Sequence, residues 1–398
     1  MTLPALTAVP LTRSLFHGAV ELEDTGRAFL AHRLPAWARA RNTDAQMTMV
    51  EAQSSGVRMV LRTPATTIEL DTRRSRTLYA GVPARPDGVV ELVLNGEVIG
   101  HSTMTGGTTM VVDMTNGATE SQVGEPHTAS FAGLAPGMKT LELWLPHQEA
   151  TEVLALRADA PVEPVQAARS RWVHHGSSIS QGSNAARPTG TWPAVAAHAA
   201  QLDLLNLGFG GSALLDPFVA RTIRDLPADV ISLKLGINLV NRDLMRLRAL
   251  GPSVHGFLDT IREGHPDTPL LLISPIHCGI HEDTPGPGAF DLEAIAQGTM
   301  RFTATGDPAE SAAGKLTLNV IRAELVRVVQ QRSSSDPNLH YLDGRVLYSE
   351  KDSAQHPLPD NLHPDATTHR FIGERFAAAA AGLGLGPFHD PADQAHHH

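Results

Sequence analysis

Cysteine is nearly missing: Cys278 is the single one in 398 residues. An intramolecular disulfide is therefore excluded, and so is a structural zinc site built on several thiolates. Basic charge is also short. Lys and Arg number 32 against 42 Asp and Glu, a formal net charge of -10. That balance speaks against broad, salt-dependent binding to phosphate backbones, and no basic run or basic-aromatic alternation restores a nucleic-acid reading. Long apolar runs are missing too. The longest, near Phe376 to Leu385, is mostly alanine and too short to span a bilayer. The first ten residues are interrupted by Pro4 and Pro10, and no positive segment precedes an apolar one. No signal peptide and no membrane partner are expected, and the expected location is cytoplasmic. There is no internal repeat. His396 to His398 are set aside from functional reasoning.

What is present divides into two rhythms. A chain of this length suggests about two domains, and 42% hydrophobic residues suffice for ordinary cores. From about Val57 to Arg157 the pattern is one of short strands. Thr67–Asp71, Val90–Leu94 and Thr140–Leu145 alternate well, and Val57–Arg62 partly. Alternation at period two puts one face in a core and the other in water. Turn clusters such as Arg85-Pro86-Asp87-Gly88 and Ala135-Pro136-Gly137 separate these segments, which predicts an all-β sandwich or jelly roll. Trp144, inside one strand pattern, is expected in the core. A proline-punctuated stretch from Asp159 to Pro164 reads as a linker.

Beyond it, apolar strand candidates at Trp172-Val173, Leu204-Leu205, Val230–Leu235, Leu270–Ile273 and Tyr341-Leu342 alternate with helical patterns. The helices are expected at Trp192–Leu202, Leu244–Glu263, Lys315–Gln331 and Ala366–Leu383. That alternation predicts right-handed crossovers and a parallel α/β sheet. The expected boundaries are 1–158 for the β domain, 159–170 for the linker, 171–385 for the α/β domain and 386–398 for a tail.

In such sheets, sites form at the carboxyl ends of the strands. After the first strand comes His174-His175-Gly176-Ser177-Ser178-Ile179-Ser180-Gln181-Gly182, a small-residue turn able to expose a hydroxyl or simply to cap a helix. It is not a G-x-S-x-G elbow, because Ser180 stands where the last glycine would be. After the second comes Asn206-Leu207-Gly208-Phe209-Gly210-Gly211-Ser212-Ala213. This also fits a dinucleotide fingerprint, or a turn needing positive φ, or a source of backbone N–H donors. After the third, Asn238 is either a turn residue or a side-chain donor. After the fourth, His277 and His281 have a spacing that would suit a metal on a helix, but Pro275 and Gly279 argue against the helix. The Pro/Gly loop that follows has the length of a lid or specificity element. Near the end, Asp360 and His363 are three apart, and Pro364 suits the start of a helix.

Order and spacing together resemble the SGNH, or GDSL-like, hydrolase superfamily. Its G-D-S-L block is matched by Gly176-Ser177-Ser178-Ile179 and its N-x-G-x-x-G segment by Asn206, Gly208 and Gly211. Its G-x-N-D block is matched by Gly236-Ile237-Asn238, and its D-x-x-H by Asp360 and His363. The likeness covers roughly Arg171 to Phe376. Ser177 replaces the usual Asp of the first block, and Leu239 replaces the Asp after Asn238. The resemblance implies a flavodoxin-like three-layer sheet behind a β-sandwich. It further implies a catalytic triad of Ser178, Asp360 and His363, an oxyanion hole formed by Ser178, Gly211 and Asn238, and no cofactor or metal. Ser177 and Ser180 are the rival nucleophiles. The expected activity is ester hydrolysis through an acyl-serine. Acyl transfer from a thioester or ester donor to an alcohol is the alternative, and a carbohydrate-binding protein with a degenerate hydrolase domain is a third reading. The expected partners are a small-molecule ester or acyl donor and a carbohydrate or natural-product alcohol.

Overall fold

The alternating segments of the N-terminal half pair into two sheets around one core. In the computed structural model, which describes residues 5–113, 116–166 and 169–388, one sheet runs in the order Thr119–Val123, Thr108–Val112, Thr67–Tyr79, Ala150–Ala158, Phe29–His32, Glu21–Asp24. Thr7–Val9 and His127–Ala132 pair onto its two central strands. The other runs Glu163–Pro164, Arg58–Thr63, Lys139–Trp144, Val89–Leu94, Glu97–Thr103, with Phe16–His17 on Arg58–Thr63. Ile68, Leu70, Val153 and Leu156 of the first sheet meet Met59, Leu61, Leu92, Leu141 and Leu143 of the second in one apolar cluster. Fully burying a side chain of this size contributes about 1.5–3 kcal/mol. This is a β-sandwich. Trp144 is buried, with the Arg58 guanidinium 4.9 Å from its ring centre. Part of the expected linker belongs to the sandwich, because Glu163 and Pro164 pair with Arg62 and Leu61.

The second half forms a five-stranded parallel sheet in the order Asp203–Gly208, Arg171–Gly176, Val230–Lys234, Leu270–Ile273, Leu339–Leu342. Numbered along the chain this is 2-1-3-4-5, the flavodoxin-like order. Val230–Lys234 and Leu270–Ile273 are buried along their whole length, which explains their continuous apolar runs. Alternate residues of Arg171–Gly176 face opposite layers. Trp172 and His174 meet Trp192 of helix Trp192–Ala199, and Trp172 stacks on Phe376 of helix Ala366–Gly382. His175 meets Phe209 and, across the other face, Phe257 of helix Leu247–Arg262. Helices Pro217–Asp225 and Leu318–Arg332 complete the layer holding Leu247–Arg262. The first of these was not among the expected helices, although Pro217 at its first turn is a start signal.

Packing divides the chain into two units. One lies within Met1–Ala36, Thr48–Ala168 and Arg187–Thr189, the other within Trp37–Met47, Arg169–Ala186 and Gly190–His398. Compared with the boundaries read from sequence, segment Trp37–Met47 goes to the α/β unit and Arg187–Thr189 to the sandwich. Residues 167 and 168 of the expected linker, and the expected tail from 389 onward, lie outside the described residues.

Candidate active site

The first strand ends at Gly176, and the chain turns at once into the single helical turn Ser178–Gln181. Ser177 caps that turn, its Oγ accepting from Ile179 N–H at 3.3 Å. The residue that replaces the family's aspartate thus still satisfies a free helix-start donor. Ser178, the next residue, is half-buried, whereas Ser177 and Ser180 are buried. The turn presses against the second strand at Gly208, where a Cβ would stand 2.5 Å from Gln181 N, so only glycine fits.

The three serines have different partners. Ser178 Oγ lies 2.9 Å from His363 Nε2. His363 Nδ1 lies 2.8 Å from Asp360 Oδ2. Asp360 Oδ1 also accepts the backbone N–H groups of His363 at 2.7 Å and Leu362 at 3.0 Å, and Oδ2 accepts from Asn184 Nδ2 at 3.1 Å. Burial pushes the Asp360 carboxyl up, but the His363 charge and the hydrogen bonds from His363 and Leu362 outweigh it and hold it at about 2. It is ionised throughout the neutral range. Ser180 instead faces inward, its Oγ 2.8 Å from His174 Nε2, while His174 Nδ1 lies 2.7 Å from Ser232 Oγ. Burial, aided by His175 and Lys234, holds His174 well below the ordinary imidazole range. The second serine-histidine pair is therefore neutral and sealed in the interior.

Around Ser178 the loops are tied to one another. Asn206 donates to Ser180 O and accepts from Gly208 N–H, both at 2.9 Å. Gln181 Oε1 accepts Gly210 N–H at 2.8 Å. Asn238 Oδ1 accepts Ala213 N–H at 3.1 Å, which fixes the amide so that Nδ2 is the outward group. Gly211 adopts φ +72°, open to glycine at little cost. Among the described residues, Ser178 N–H, Gly211 N–H and Asn238 Nδ2 have no protein acceptor. The three donors follow the carboxyl ends of three adjacent strands of the sheet.

The long loop after the fourth strand contains the hairpin Gly288–Phe290 and Phe302–Ala304. Phe302 N–H donates to Asp360 O at 2.9 Å, and its ring stands edge-on to His363 at 5.5 Å, 75° between planes. Phe290 stacks on the Phe302 ring at 5.0 Å. Behind the Asp360–His363 loop, Cys278 Sγ donates to Asn361 O, and burial pushes its thiol up to about 12. Among the described residues no three His, Cys, Asp or Glu side chains gather as a metal site. His281 Nδ1 lies 3.1 Å from Thr284 O, and His277 Nδ1 lies 3.4 Å from Glu282. Of the five expected residues, the structure joins Ser178, His363 and Asp360 by hydrogen bonds, and it places Gly211 and Asn238 after the carboxyl ends of the two strands that flank the strand leading to Ser178. Asn184, Gln181 and Phe302 were not anticipated, and neither was Gln46, whose Nε2 donates to Gly210 O at 2.9 Å.

Residues 169–281 match the GDSL-like Lipase/Acylhydrolase family. The α/β unit that holds this segment has the SGNH, GDSL-like, fold. Among solved structures, the salicylyl-acyltransferase SsfX3 from a tetracycline biosynthetic pathway is 27% identical, with a TM-score of 0.79 over 96% of this chain and 98% of that one. A GDSL-like lipase crystal structure from Bacteroides ovatus, described there as putative, is 17% identical, with a TM-score of 0.68 over 97% and 100%. A family two carbohydrate esterase from Clostridium thermocellum is 14% identical, with a TM-score of 0.56 over 84% and 94%. The last two share the fold with this chain. No curated protein matches it. The family match and the likeness to SsfX3 support an enzyme of the SGNH type. Among the described residues no helix is long and apolar enough to cross a membrane.

Proposed function

We propose that this chain is a serine-dependent acyl-ester hydrolase that works through an acyl-serine on Ser178. The observation carrying the reading is the unbroken relay from Ser178 Oγ through His363 to Asp360, at 2.9 and 2.8 Å. A serine hydroxyl is a weak nucleophile until a base removes its proton. His363 Nε2 takes that proton as Oγ attacks the acyl carbon, and then gives it to the departing alcohol as the old C–O bond breaks. Water enters by the reverse sequence, releasing the acid and restoring Ser178. Asp360 holds the imidazole with its proton on Nδ1 and offsets the positive charge it acquires. The oxyanion is received by Ser178 N–H, Gly211 N–H and Asn238 Nδ2, the three donors without a protein acceptor. The chemistry requires no cofactor or metal. The aligned relay argues against a degenerate, binding-only domain.

A second reading, transfer of the acyl group to an alcohol in place of water, is favoured by the likeness to the salicylyl-acyltransferase over nearly the full length of both chains. The two readings share every step up to the acyl-serine. The substrate class in both is a small-molecule ester or acyl donor, with a natural-product or carbohydrate alcohol as acceptor in the second. A fluorophosphonate should label wild-type protein at Ser178 and leave Ser178→Ala unlabelled. An activated ester presented with a panel of alcohols then separates the readings by the ratio of transferred to hydrolysed acyl group. Labelling at another serine, or none on folded protein, would refute both.

A further inference from the structure

Gln46 lies far outside the segment that matches the family, yet it packs with the α/β unit. Asp44 Oδ1 accepts Met47 N–H at 2.8 Å and fixes the turn on which Gln46 stands. From there the side chain lies along Gly211, its Cγ 3.5 Å from where a Cβ of that residue would be. Its Nε2 donates to the carbonyl of Gly210.

That carbonyl and the N–H of Gly211 are two ends of one peptide group. The group is planar and trans, so its C=O and N–H point in opposite directions. A donor anchoring the oxygen on one side therefore fixes where the N–H points on the other. It also polarises the peptide, because a carbonyl that accepts a hydrogen bond makes its own N–H a stronger donor. The neighbouring peptides are held separately: Gly210 N–H by Gln181 Oε1 at 2.8 Å, and Gly211 C=O by Arg242 Nε at 3.4 Å. Among the described residues, Gln46 is the one side chain that donates to the Gly210 carbonyl. Glycine on both sides of this peptide gives it no steric preference of its own, so the restraint must come from outside.

We infer that Gln46 is a positioning residue for the oxyanion hole, orienting and strengthening the Gly211 N–H without touching the substrate. This rests on the acyl-serine reading above. Removing a whole oxyanion donor lowers kcat by roughly 10²–10³. Here the donor stays and loses only its alignment, so Gln46→Met should lower kcat for p-nitrophenyl acetate by about 10-fold, with KM changed less than about twofold. The rate of fluorophosphonate inactivation should fall in parallel, since the tetrahedral adduct places an oxygen in the same hole. Gln46→Lys restores a donor of similar reach and should recover most of the loss. Gln46→Glu keeps the shape but turns a carboxylate toward the carbonyl, and it carries the same expectation as the methionine variant if that variant fails to accumulate. Wild-type kcat and inactivation rate in Gln46→Met or Gln46→Glu would overturn the inference while leaving the Ser178 reading standing. A loss in KM alone, or no recovery in Gln46→Lys, would also overturn it. Absence of Ser178 labelling in wild-type protein would remove both.

Discussion

Replacing Asp360 by asparagine changes one atom, and the structure says which way the new amide must point. Oδ1 accepts two backbone N–H groups, from Leu362 and His363, and these cannot turn away. The asparagine oxygen must stay there, so its NH2 group faces His363 Nδ1 and, unfavourably, the Asn184 amide. A donor opposite Nδ1 forces the imidazole proton onto Nε2, the atom 2.9 Å from Ser178 Oγ. His363 is then in the wrong tautomer to accept the serine proton. Such a change in a triad lowers kcat by about 10⁴, some 5 kcal/mol of transition-state stabilisation. Stability should fall as well. The carboxyl is held at about 2, below its ordinary 3.8. A depressed acid contributes stability that is present above the unfolded value and lost as pH falls through the folded one, here roughly 2 kcal/mol lost between about pH 4 and 2. Steady-state turnover of p-nitrophenyl acetate at pH 8 and thermal melts at pH 7 and 2.5 test both parts. An Asp360→Asn enzyme within 10-fold of wild-type kcat would refute the tautomer argument. Equal melting temperatures at pH 7 would refute the electrostatic one.

Other outcomes follow from the same geometry. Ser180→Ala should keep most activity but lower stability by about 1–3 kcal/mol in denaturant titration, because His174 Nε2 loses its partner in the interior. Asn238→Ala should lower kcat by about 10²–10³ with little change in KM, removing Nδ2 and freeing Ala213 N–H together. Gly208→Ala should unfold or displace the nucleophile turn, visible as loss of fluorophosphonate labelling, since its Cβ would meet Gln181 N at 2.5 Å. Asp216 is pushed up to about 6, first by burial and further by Asp44. A raised acid costs stability above its folded value and nothing below its unfolded one. Asp216→Asn should therefore stabilise the protein by about 1 kcal/mol at pH 8 and be neutral near pH 4 in paired thermal melts, after discounting for its partial exposure.

The five strands of the parallel sheet were legible because their signal is local. Val230–Lys234 and Leu270–Ile273 are continuous apolar runs, as strands covered on both faces must be. The helix Pro217–Asp225 was not seen because nine residues give little more than two turns of periodicity, although Val219, Ala220 and Ile223 do bury one face. In the sandwich, Glu97–Thr103 and Thr119–Val123 escaped notice because both are largely exposed and carry no buried alternation. Ser178 and Asn238 were candidates because each comes soon after a strand, and Asp360 and His363 because they stand three apart just before Pro364. Gln46 and Asn184 were not. A glutamine 164 positions from its partner leaves no periodicity, spacing or motif to follow, and only the folded chain reveals the pair.

The assignment of Trp37–Met47 to the GDSL-like unit also bears on how the molecule is made. A ribosome delivers Gln46 early and Gly210 much later, with most of the sandwich strands emerging between them. The catalytic unit is thus split in sequence around its neighbour, and its last contact closes a very long loop. Closing such a loop costs only slightly more entropy than a shorter one, but it delays the contact. The sheet and relay are encoded wholly after residue 169, so they can be complete while the Gly210 carbonyl still waits for its donor. A nascent or clipped chain should therefore pass through a form that is folded and labelled at Ser178 yet slow, and activity should appear after compactness in refolding.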